Sequence, residues 1–213
     1  VVTFVVDRNI SYTNACVADC DFCAFYVSPL SKDVYVLPEE TIFQKIRDLE
    51  AIGGTQILLQ GGLNPKLRMD IYTHLLRRIR ENFPNITIHS FSPTEIDFFA
   101  KLEKKPVSEI FRLLKEAGLH SMPGGGGEIL VKRVRDIISP KKISADQWLN
   151  VQREAHLAGL KTTATMVIGH VETVEERIIH LLRLRDLQDE TGGIRAFIAW
   201  TMSTHGTKLA HIK

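Results

Sequence analysis

The three cysteines of this chain lie within one stretch of eight residues, and this stretch constrains the fold more than any other feature of the sequence. They are Cys16, Cys20 and Cys23, in the spacing C-x3-C-x2-C. A short loop with this spacing can fold its thiolates around one inorganic cluster. On a four-iron cluster, three protein ligands leave one iron without a protein ligand, and an open metal position is where a substrate can bind.

A structural zinc site and a disulfide are the alternatives for the same three thiols. Structural zinc usually has four protein ligands, and the nearest histidine, His74, lies far downstream of the cysteines. A disulfide would leave one thiol over, and nothing in the sequence indicates an oxidising compartment. The spacing therefore favours a cluster over both alternatives.

The bulk composition is that of an ordinary globular domain. The 213 residues suit one domain with a sizeable core, and 44% of them are apolar and 24% charged. A net charge of +2 gives no strong field, so we expect neither a nucleic acid nor a membrane as a partner. The apolar run at residues 1–6 is too short to span a bilayer. Free cysteines at a cluster site imply a reducing compartment, and we expect a cytoplasmic location.

Strand-like and helix-like segments alternate along the chain. The pattern predicts strands at residues 1–6, 56–59, 86–89, 120–122, 161–168 and 196–200. Helices are predicted between them, and capping boxes at residues 144–147 and 173–176 mark two helix starts. Six such strands predict an α/β fold with a parallel sheet and right-handed crossovers. A barrel and a doubly wound sheet both bind ligands beyond the carboxyl ends of their strands. The pattern therefore does not decide whether the sheet closes into a barrel.

Gln60, Gly61 and Gly62 follow the second predicted strand. Glycines let a ligand approach the backbone closely, and bare carbonyls there can accept hydrogen bonds from an ammonium group. A plain turn is the alternative. The position after the second strand and downstream of the cysteine loop favours a ligand site.

A run of four glycines, residues 124–127, follows the fourth predicted strand and precedes Glu128. Such a run is costly to order, so it indicates a close backbone approach or unusual dihedral angles around Gly125. Glu128 could accept hydrogen bonds from a ribose diol, and Arg135 could share a helix face with it and pair with a carboxylate. A phosphate-binding loop would need a Lys-Ser/Thr pair that is absent, and a flexible surface loop is the other alternative.

Two further strand ends carry polar side chains. His89 and Glu95 belong to the stretch that ends the third predicted strand, and His170 and Glu172 follow the fifth. A serine hydrolase elbow would need G-x-S-x-G, which this stretch lacks. We interpret His89, Glu95 and His170 as candidates for substrate binding or proton transfer, with a structural role as the alternative for each histidine.

Phe22 precedes the last cysteine, and with this aromatic residue the cysteine stretch resembles the cluster loop of the radical S-adenosylmethionine (radical SAM) enzymes. The resemblance implies a 4Fe-4S cluster whose open iron chelates S-adenosylmethionine, and an open, partial (β/α)6 TIM-like barrel. The implied cluster ligands are Cys16, Cys20 and Cys23. The implied S-adenosylmethionine-binding residues are Gln60, Gly61, Gly62, Gly125, Glu128 and Arg135.

Further motifs resemble the dehypoxanthine futalosine cyclases of menaquinone biosynthesis. They are the stretches 13–26, 60–65, 89–96, 123–130, 162–166, 169–173 and 197–200. Two sister families share much of this pattern. Aminofutalosine synthases lack the His-Ser-Phe-Ser-Pro motif, and the tyrosine-using subunits of deazaflavin-cofactor synthase have a Gly-Thr-Ala-Ala-Glu type of loop at residues 124–128. The cyclases fit best, with departures at Gly127 and Ala199, where that family tends to have Ala and Pro.

The resemblance also implies an activity and partners. A 5′-deoxyadenosyl radical from S-adenosylmethionine would abstract a hydrogen from the ribose of dehypoxanthine futalosine, and the sugar radical would cyclise onto the benzoate ring. A flavodoxin or ferredoxin would supply the electron. Family members are longer at both ends, so we expect residues 1–213 to be a single core domain without the family's N- and C-terminal extensions. A non-catalytic iron–sulfur or zinc module is the alternative from a different class.

Overall fold

Six parallel strands and seven helices alternate along residues 4–211, the part of the chain that the computed structural model describes. The strands are β1 (Asp7–Ser11), β2 (Gln56–Gln60), β3 (Thr87–Ser90), β4 (Ser121–Met122), β5 (Lys161–Ile168) and β6 (Ile194–Thr201). The helices are α1 (Glu39–Ala51), α2 (Met69–Asn82), α3 (Pro93–Glu103), α4 (Val107–Ala117), α5 (Lys132–Ile138), α6 (Ala145–Leu157) and α7 (Val174–Thr191).

The strands form one sheet in the order β1-β2-β3-β4-β5-β6, and every neighbouring pair is parallel. In a flat sheet β2 and β6 would lie roughly 19 Å apart, because neighbouring strands are about 4.8 Å apart. Instead, the guanidinium of Arg195 in β6 donates a 3.1 Å hydrogen bond to Oε1 of Gln56 in β2. The sheet is therefore curled into a half-barrel, which confirms the predicted α/β partial barrel.

The first strand differs from the prediction for residues 1–6. Residues 1–3 lie outside the described part of the chain, and residues 4–6 are not in a strand, so the predicted boundaries are wrong there. β1 is Asp7–Ser11, whose Asn9 and Ser11 side chains line a cavity inside the half-barrel. A strand with a polar inner face lacks the continuous apolar run that marks an ordinary buried parallel strand. The cysteine loop still follows the first strand, as predicted.

Two helices, α3 and α5, were not predicted from the sequence. α3 begins at Pro93, with the Ser92 hydroxyl accepting a hydrogen bond from the backbone N–H of Glu95. Most residues in its first two turns are buried, so the helix lacks the one-sided apolar pattern that predicts a surface helix. Both predicted capping boxes, at the starts of α6 and α7, are present. The helices within residues 4–211 lack the combination of length and apolar composition that crossing a bilayer requires.

The main core lies between the outer face of the sheet and the helices around it. Ile10, Ile57, Leu59 and Ile88 point outward from β1, β2 and β3 and are buried in this core. Each such side chain stabilises the fold by about 1.5–3 kcal/mol on full burial. The opposite face of the same strands, which lines the inside of the half-barrel, is polar except for Leu58.

Candidate functional site

The three cysteines lie on the loop between β1 and α1, and all three side chains line one cavity at the carboxyl ends of the first strands. None of them forms a disulfide; Cys20 is buried, and the other two are half-buried. The cavity has a volume of about 410 Å³. It is also lined by the predicted site residues Gln60, Gly61, Gly62 and Glu95.

Backbone hydrogen bonds to other loops fix the cysteine loop. The N–H of Val17 donates to the carbonyl of Leu63 at 3.1 Å, so the loop is tied to the segment after β2. The N–H of Asp21 donates to the carbonyl of Ile138 at 2.9 Å, which ties the loop to the last residue of α5. Tertiary structure therefore positions the thiols, which a free loop of this length could not do by itself.

Gly61 and Gly62 pack directly beneath the cysteine loop. A Cβ at Gly62 would lie 2.9 Å from the Cβ of Cys16 and would collide with the carbonyl oxygen of Ala15. A Cβ at Gly61 would lie 2.5 Å from the ring of Tyr12. Only glycine fits at position 62, because the cysteine loop lies too close to the backbone there to leave room for a Cβ.

The donor set fits an iron–sulfur cluster. Three thiols from one short loop line a single cavity, and none of them is in a disulfide. Thiolates are the usual protein ligands of such clusters. Burial raises the pKa of the Cys20 thiol to about 12, so binding a metal centre there would release a proton. Cys16, Cys20 and Cys23 are therefore the residues that would hold the cluster.

The cavity also contains a buried hydroxyl without a protein partner. Thr94, in the first turn of α3, lines the cavity and is 4% exposed, and its Oγ1 has no hydrogen-bond partner among the described residues. An unpaired buried hydroxyl costs about 1–3 kcal/mol unless something pairs with it. The oxygen atom itself is closed off from solvent and lies against Gly126 of the glycine run.

Glu95 is the one acidic residue among the described residues that line the cavity, and it is 2% exposed. Its Oε1 accepts hydrogen bonds from the hydroxyl of Tyr12 at 2.6 Å and from the N–H of Gly61 at 3.1 Å. Its Oε2 accepts one from the hydroxyl of Ser92 at 2.7 Å. Burial raises the pKa of Glu95 to about 7, because the three donors offset its desolvation only in part.

The glycine run crosses the top of the half-barrel between β4 and β5. Thr163 and Thr165 in β5 bind the N–H and the carbonyl of Gly124, at 3.0 and 2.6 Å. The indole N–H of Trp148 donates to the carbonyl of Gly125 at 3.1 Å, and a Cβ at Gly125 would lie 2.8 Å from Nε2 of Gln60. The run is thus held by β5 and α6 and touches the Gln60 side chain, which itself lines the cavity.

Glu128 ends the glycine run with a left-handed φ of 37° and is 4% exposed. Its Oε1 accepts a 3.0 Å hydrogen bond from Nζ of Lys142, a residue that lines the cavity. Its Oε2 has no hydrogen-bond partner among the described residues, and the nearest cation, NH1 of Arg135, is 3.7 Å away. Burial tends to lower the pKa of Lys142, but the Glu128 carboxylate outweighs it, so the pKa lies above its usual value and the amine is charged.

Arg135 holds the glycine run from behind. Its guanidinium donates to the carbonyls of Gly126 and Gly127, both at 3.0 Å, and to the carbonyl of Ile143. The side chain is 5% exposed. Glu128 and Arg135 thus lie near each other, but the predicted shared helix face is wrong, because α5 begins only at Lys132 and Glu128 precedes it. Their assignment as S-adenosylmethionine ligands stays a prediction. The guanidinium of Arg135 already donates its hydrogen bonds to three backbone carbonyls.

The two candidate histidines lie away from the cysteine cavity. His89 is buried in β3, its Nδ1 is 2.7 Å from the hydroxyl of Ser121, and burial lowers its pKa to about 4. The His170 side chain is fully buried in the turn after β5, with Nδ1 3.1 Å from Oε2 of Glu172 and Nε2 3.0 Å from the carbonyl of Val167. Neither histidine lines the cavity, so among the three predicted proton-transfer residues only Glu95 does.

Sequence reasoning did not name several polar residues of the cavity as site residues, and Ser92, Thr94 and Lys142 are among them. Ser92 and Thr94 belong to the start of α3, and the Ser-Pro-Thr-Glu capping pattern could have placed them there. Lys142 comes from the loop between α5 and α6, more than a hundred residues after the cysteines. No local pattern marks it, because its role comes only from the folding of distant segments together.

The family model described as "Radical SAM superfamily" matches residues 10–184. Among the relatives, the cyclic dehypoxanthine futalosine synthase of Halalkalibacterium halodurans is 49% identical over 213 residues, which is 100% of this chain and 58% of that protein. A 5-amino-6-(D-ribitylamino)uracil–L-tyrosine 4-hydroxyphenyl transferase of Methanosarcina acetivorans is 48% identical over 197 residues, which is 92% of this chain and 52% of that protein. The first relatives of this chain therefore carry two different names at almost the same identity.

Solved structures share the fold. Methylornithine synthase superposes with a TM-score of 0.78 at 16% identity, covering 96% of this chain and 56% of the other. An FeFe-hydrogenase maturase from Carboxydothermus hydrogenoformans gives a TM-score of 0.70 at 16% identity, covering 96% of this chain and 46% of the other. The chain spans 50–58% of the length of the relatives it matches in sequence.

Proposed function

Because this chain belongs to the radical SAM superfamily, whose members use a 4Fe-4S cluster and S-adenosylmethionine, we propose that it cyclises dehypoxanthine futalosine in menaquinone biosynthesis. The observation that carries the proposal is one cavity shared by three free cysteines, the Gln60-Gly61-Gly62 turn and the buried Glu95. When bound, the cluster and S-adenosylmethionine supply the one-electron cleavage that generates a 5′-deoxyadenosyl radical.

The residues of this chain have three tasks around that chemistry. Gly61 and Gly62 let the methionyl amine approach their backbone, where carbonyl oxygens can accept its hydrogen bonds. Ser92 and Thr94, at the start of α3, line the cavity with polar side chains. The walls of the half-barrel keep water and stray hydrogen donors away from the reacting atoms.

We assign the final proton to Glu95. Restoring the aromatic ring after cyclisation requires the loss of one electron and one proton. The cluster, when bound, would accept the electron, and a base near neutral pKa suits removal of the proton. Glu95 lines the cavity and its pKa is about 7, whereas His89 and His170 do not line it. The hydroxyls of Tyr12 and Ser92 hold the carboxylate in place.

The glycine run favours the cyclase over the tyrosine-using transferase. A side chain at Gly125 would approach the Gln60 amide to 2.8 Å at its Cβ, so the larger Thr of the transferase type of loop would need Gln60 to move. The 48% identity to the Methanosarcina transferase nevertheless makes that activity the second candidate. A flavodoxin or ferredoxin is the proposed class of electron donor.

One experiment separates the two candidates. The reconstituted, reduced protein is given S-adenosylmethionine with dehypoxanthine futalosine, or with L-tyrosine and 5-amino-6-(D-ribitylamino)uracil. We expect a cyclised product, identified by mass spectrometry, only in the first mixture. A 4-hydroxyphenyl adduct in the second mixture, without cyclised product in the first, would replace the cyclase assignment with the transferase.

A further inference from the structure

Lys142 is the one basic residue among the described residues that line the cysteine cavity. It reaches the cavity from the loop between α5 and α6, and its side chain is 15% exposed. Its ammonium is therefore poorly screened by water, and a poorly screened charge acts strongly on other charges nearby. Cys20 and Glu128, both buried, are the acidic groups that face it.

Two contacts fix the position of the ammonium. Nζ of Lys142 donates a 3.0 Å hydrogen bond to Oε1 of Glu128 at the end of the glycine run. The same Nζ lies 4.8 Å from the ring centroid of Phe22, which stands between Cys20 and Cys23 in the cysteine loop. This cation–π contact holds the charge against the loop that carries the thiols. Lys142 thus links the cysteine loop to the glycine run.

The neighbouring Lys141 has a different environment. Its side chain is 61% exposed, and its Nζ lies 3.4 Å from the carboxylate of Asp19. The two groups form an exposed ion pair. Exposed pairs of this kind contribute little, because solvent screens them. The two adjacent lysines therefore provide a test residue and a matched control.

We propose that Lys142 sets the charge of the cysteine cavity, so that its fixed ammonium raises the reduction potential of the cluster held by the three cysteines. One-electron reduction adds a negative charge to the cluster, and a nearby buried cation stabilises the more negative state. Glu128 opposes this effect, because its carboxylate compensates part of the Lys142 charge. The proposal rests on the cluster of the proposed function and does not depend on the substrate.

The test is a mediated potentiometric titration of the reconstituted holoenzyme, followed by the electron paramagnetic resonance signal of the reduced cluster, without substrate. We expect Lys142→Met to lower the midpoint potential and Lys142→Arg to keep it near that of the wild type. Lys141→Met is expected to leave it unchanged. Glu128→Gln is expected to shift it in the opposite direction, upward, because the Lys142 charge is then uncompensated.

Equal midpoint potentials for Lys142→Met and Lys141→Met would overturn the proposal, as would an upward shift in Lys142→Met. If Lys142→Met takes up no cluster, Glu128→Gln decides: an upward shift supports the proposal, and an unchanged or lower potential rejects it. Because no substrate is present, these results are independent of whether dehypoxanthine futalosine is the substrate.

Discussion

The hydroxyl of Tyr12 donates a 2.6 Å hydrogen bond to Oε1 of Glu95, although 83 residues separate the two in sequence. Tyr12 follows β1 and Glu95 lies in the first turn of α3, so the bond joins the strand before the cysteine loop to the helix after β3. Both side chains are nearly fully buried. The carboxyl group at the cavity is therefore held by the protein itself, before any ligand arrives.

Glu95 should make the stability of the fold depend on pH. Burial raises its pKa from 4.5 to about 7, so the folded state binds a proton more tightly than the unfolded state does. The bound proton therefore adds about 3 kcal/mol to the free energy of unfolding. This contribution is fully present below pH 4.5 and is lost as the pH rises through 7. Glu95→Gln should remove this dependence. Urea unfolding of both proteins at several pH values measures it, and equal pH dependence in the two would show that Glu95 does not titrate in this window.

His180 should make the fold less stable at acid pH, which is opposite in direction to the effect of Glu95. Its side chain is fully buried, its Nδ1 accepts the N–H of Leu130 at 3.0 Å, and burial lowers its pKa from 6.5 to about 4. Stability is complete above pH 6.5 and is lost as the pH falls toward 4, by about 3 kcal/mol. We expect His180→Asn, which keeps an acceptor, to lose the His180 share of the acid sensitivity in urea unfolding, while His89, whose pKa burial also lowers to about 4, keeps its own share. The exposed control His74→Asn should retain the His180 share, and an equal loss in both variants would reject the assignment.

Gly62→Ala should displace the cysteine loop. The added Cβ would collide with the carbonyl of Ala15 and come within 2.9 Å of the Cβ of Cys16, and backbone cannot yield as a flexible side chain can. Iron content after anaerobic reconstitution should fall to a small fraction of the wild-type value. The control is Gly53→Ala, where the Cβ meets nothing within 4 Å and the left-handed φ of 76° costs about 1–2 kcal/mol. Wild-type iron content in Gly62→Ala would mean that the loop does not need this close approach.

Arg135→Met should loosen the glycine run. The substitution leaves the carbonyls of Gly126, Gly127 and Ile143 without their donor, at a cost of about 1 kcal/mol or more for each buried acceptor. We expect a loss on the order of 3 kcal/mol in chemical unfolding. Arg185→Met, which breaks only exposed pairs with Asp186 and Asp189, should cost less than about 1 kcal/mol. Similar losses in the two variants would contradict the role assigned to Arg135.

Sequence reasoning predicted most of the strands because periodicity and glycine punctuation are local signals. The bounds of β5 and the capping boxes of α6 and α7 agree with it. It misplaced β1 because the inner face of that strand is polar, and it missed α3 because that helix is buried on nearly all sides. These two errors share a cause: the site itself changes the pattern of the elements that line it.

Sequence reasoning named the cavity residues that follow directly after a strand. It did not name the residues that reach the cavity from distant parts of the chain. The cysteines, Gln60, Gly61, Gly62 and Glu95 were identified from their order along the chain, and the structure brings them to one cavity. Lys142 could not be identified in this way, because its partners Glu128 and Phe22 come from two other loops. Neither His89 nor His170 lines the cavity, and their positions at strand ends in the sequence could not show this.

The most direct test of the central claim measures the cluster and its chemistry together. The protein is reconstituted anaerobically with iron and sulfide, reduced, and given S-adenosylmethionine with and without dehypoxanthine futalosine. We predict about four irons and four sulfides per chain, 5′-deoxyadenosine formation that rises with this substrate, and none of these in Cys20→Ala. Deoxyadenosine formation at the wild-type rate in Cys20→Ala, or a wild-type protein that binds zinc and no sulfide, would contradict the assignment of the three cysteines to a radical SAM cluster.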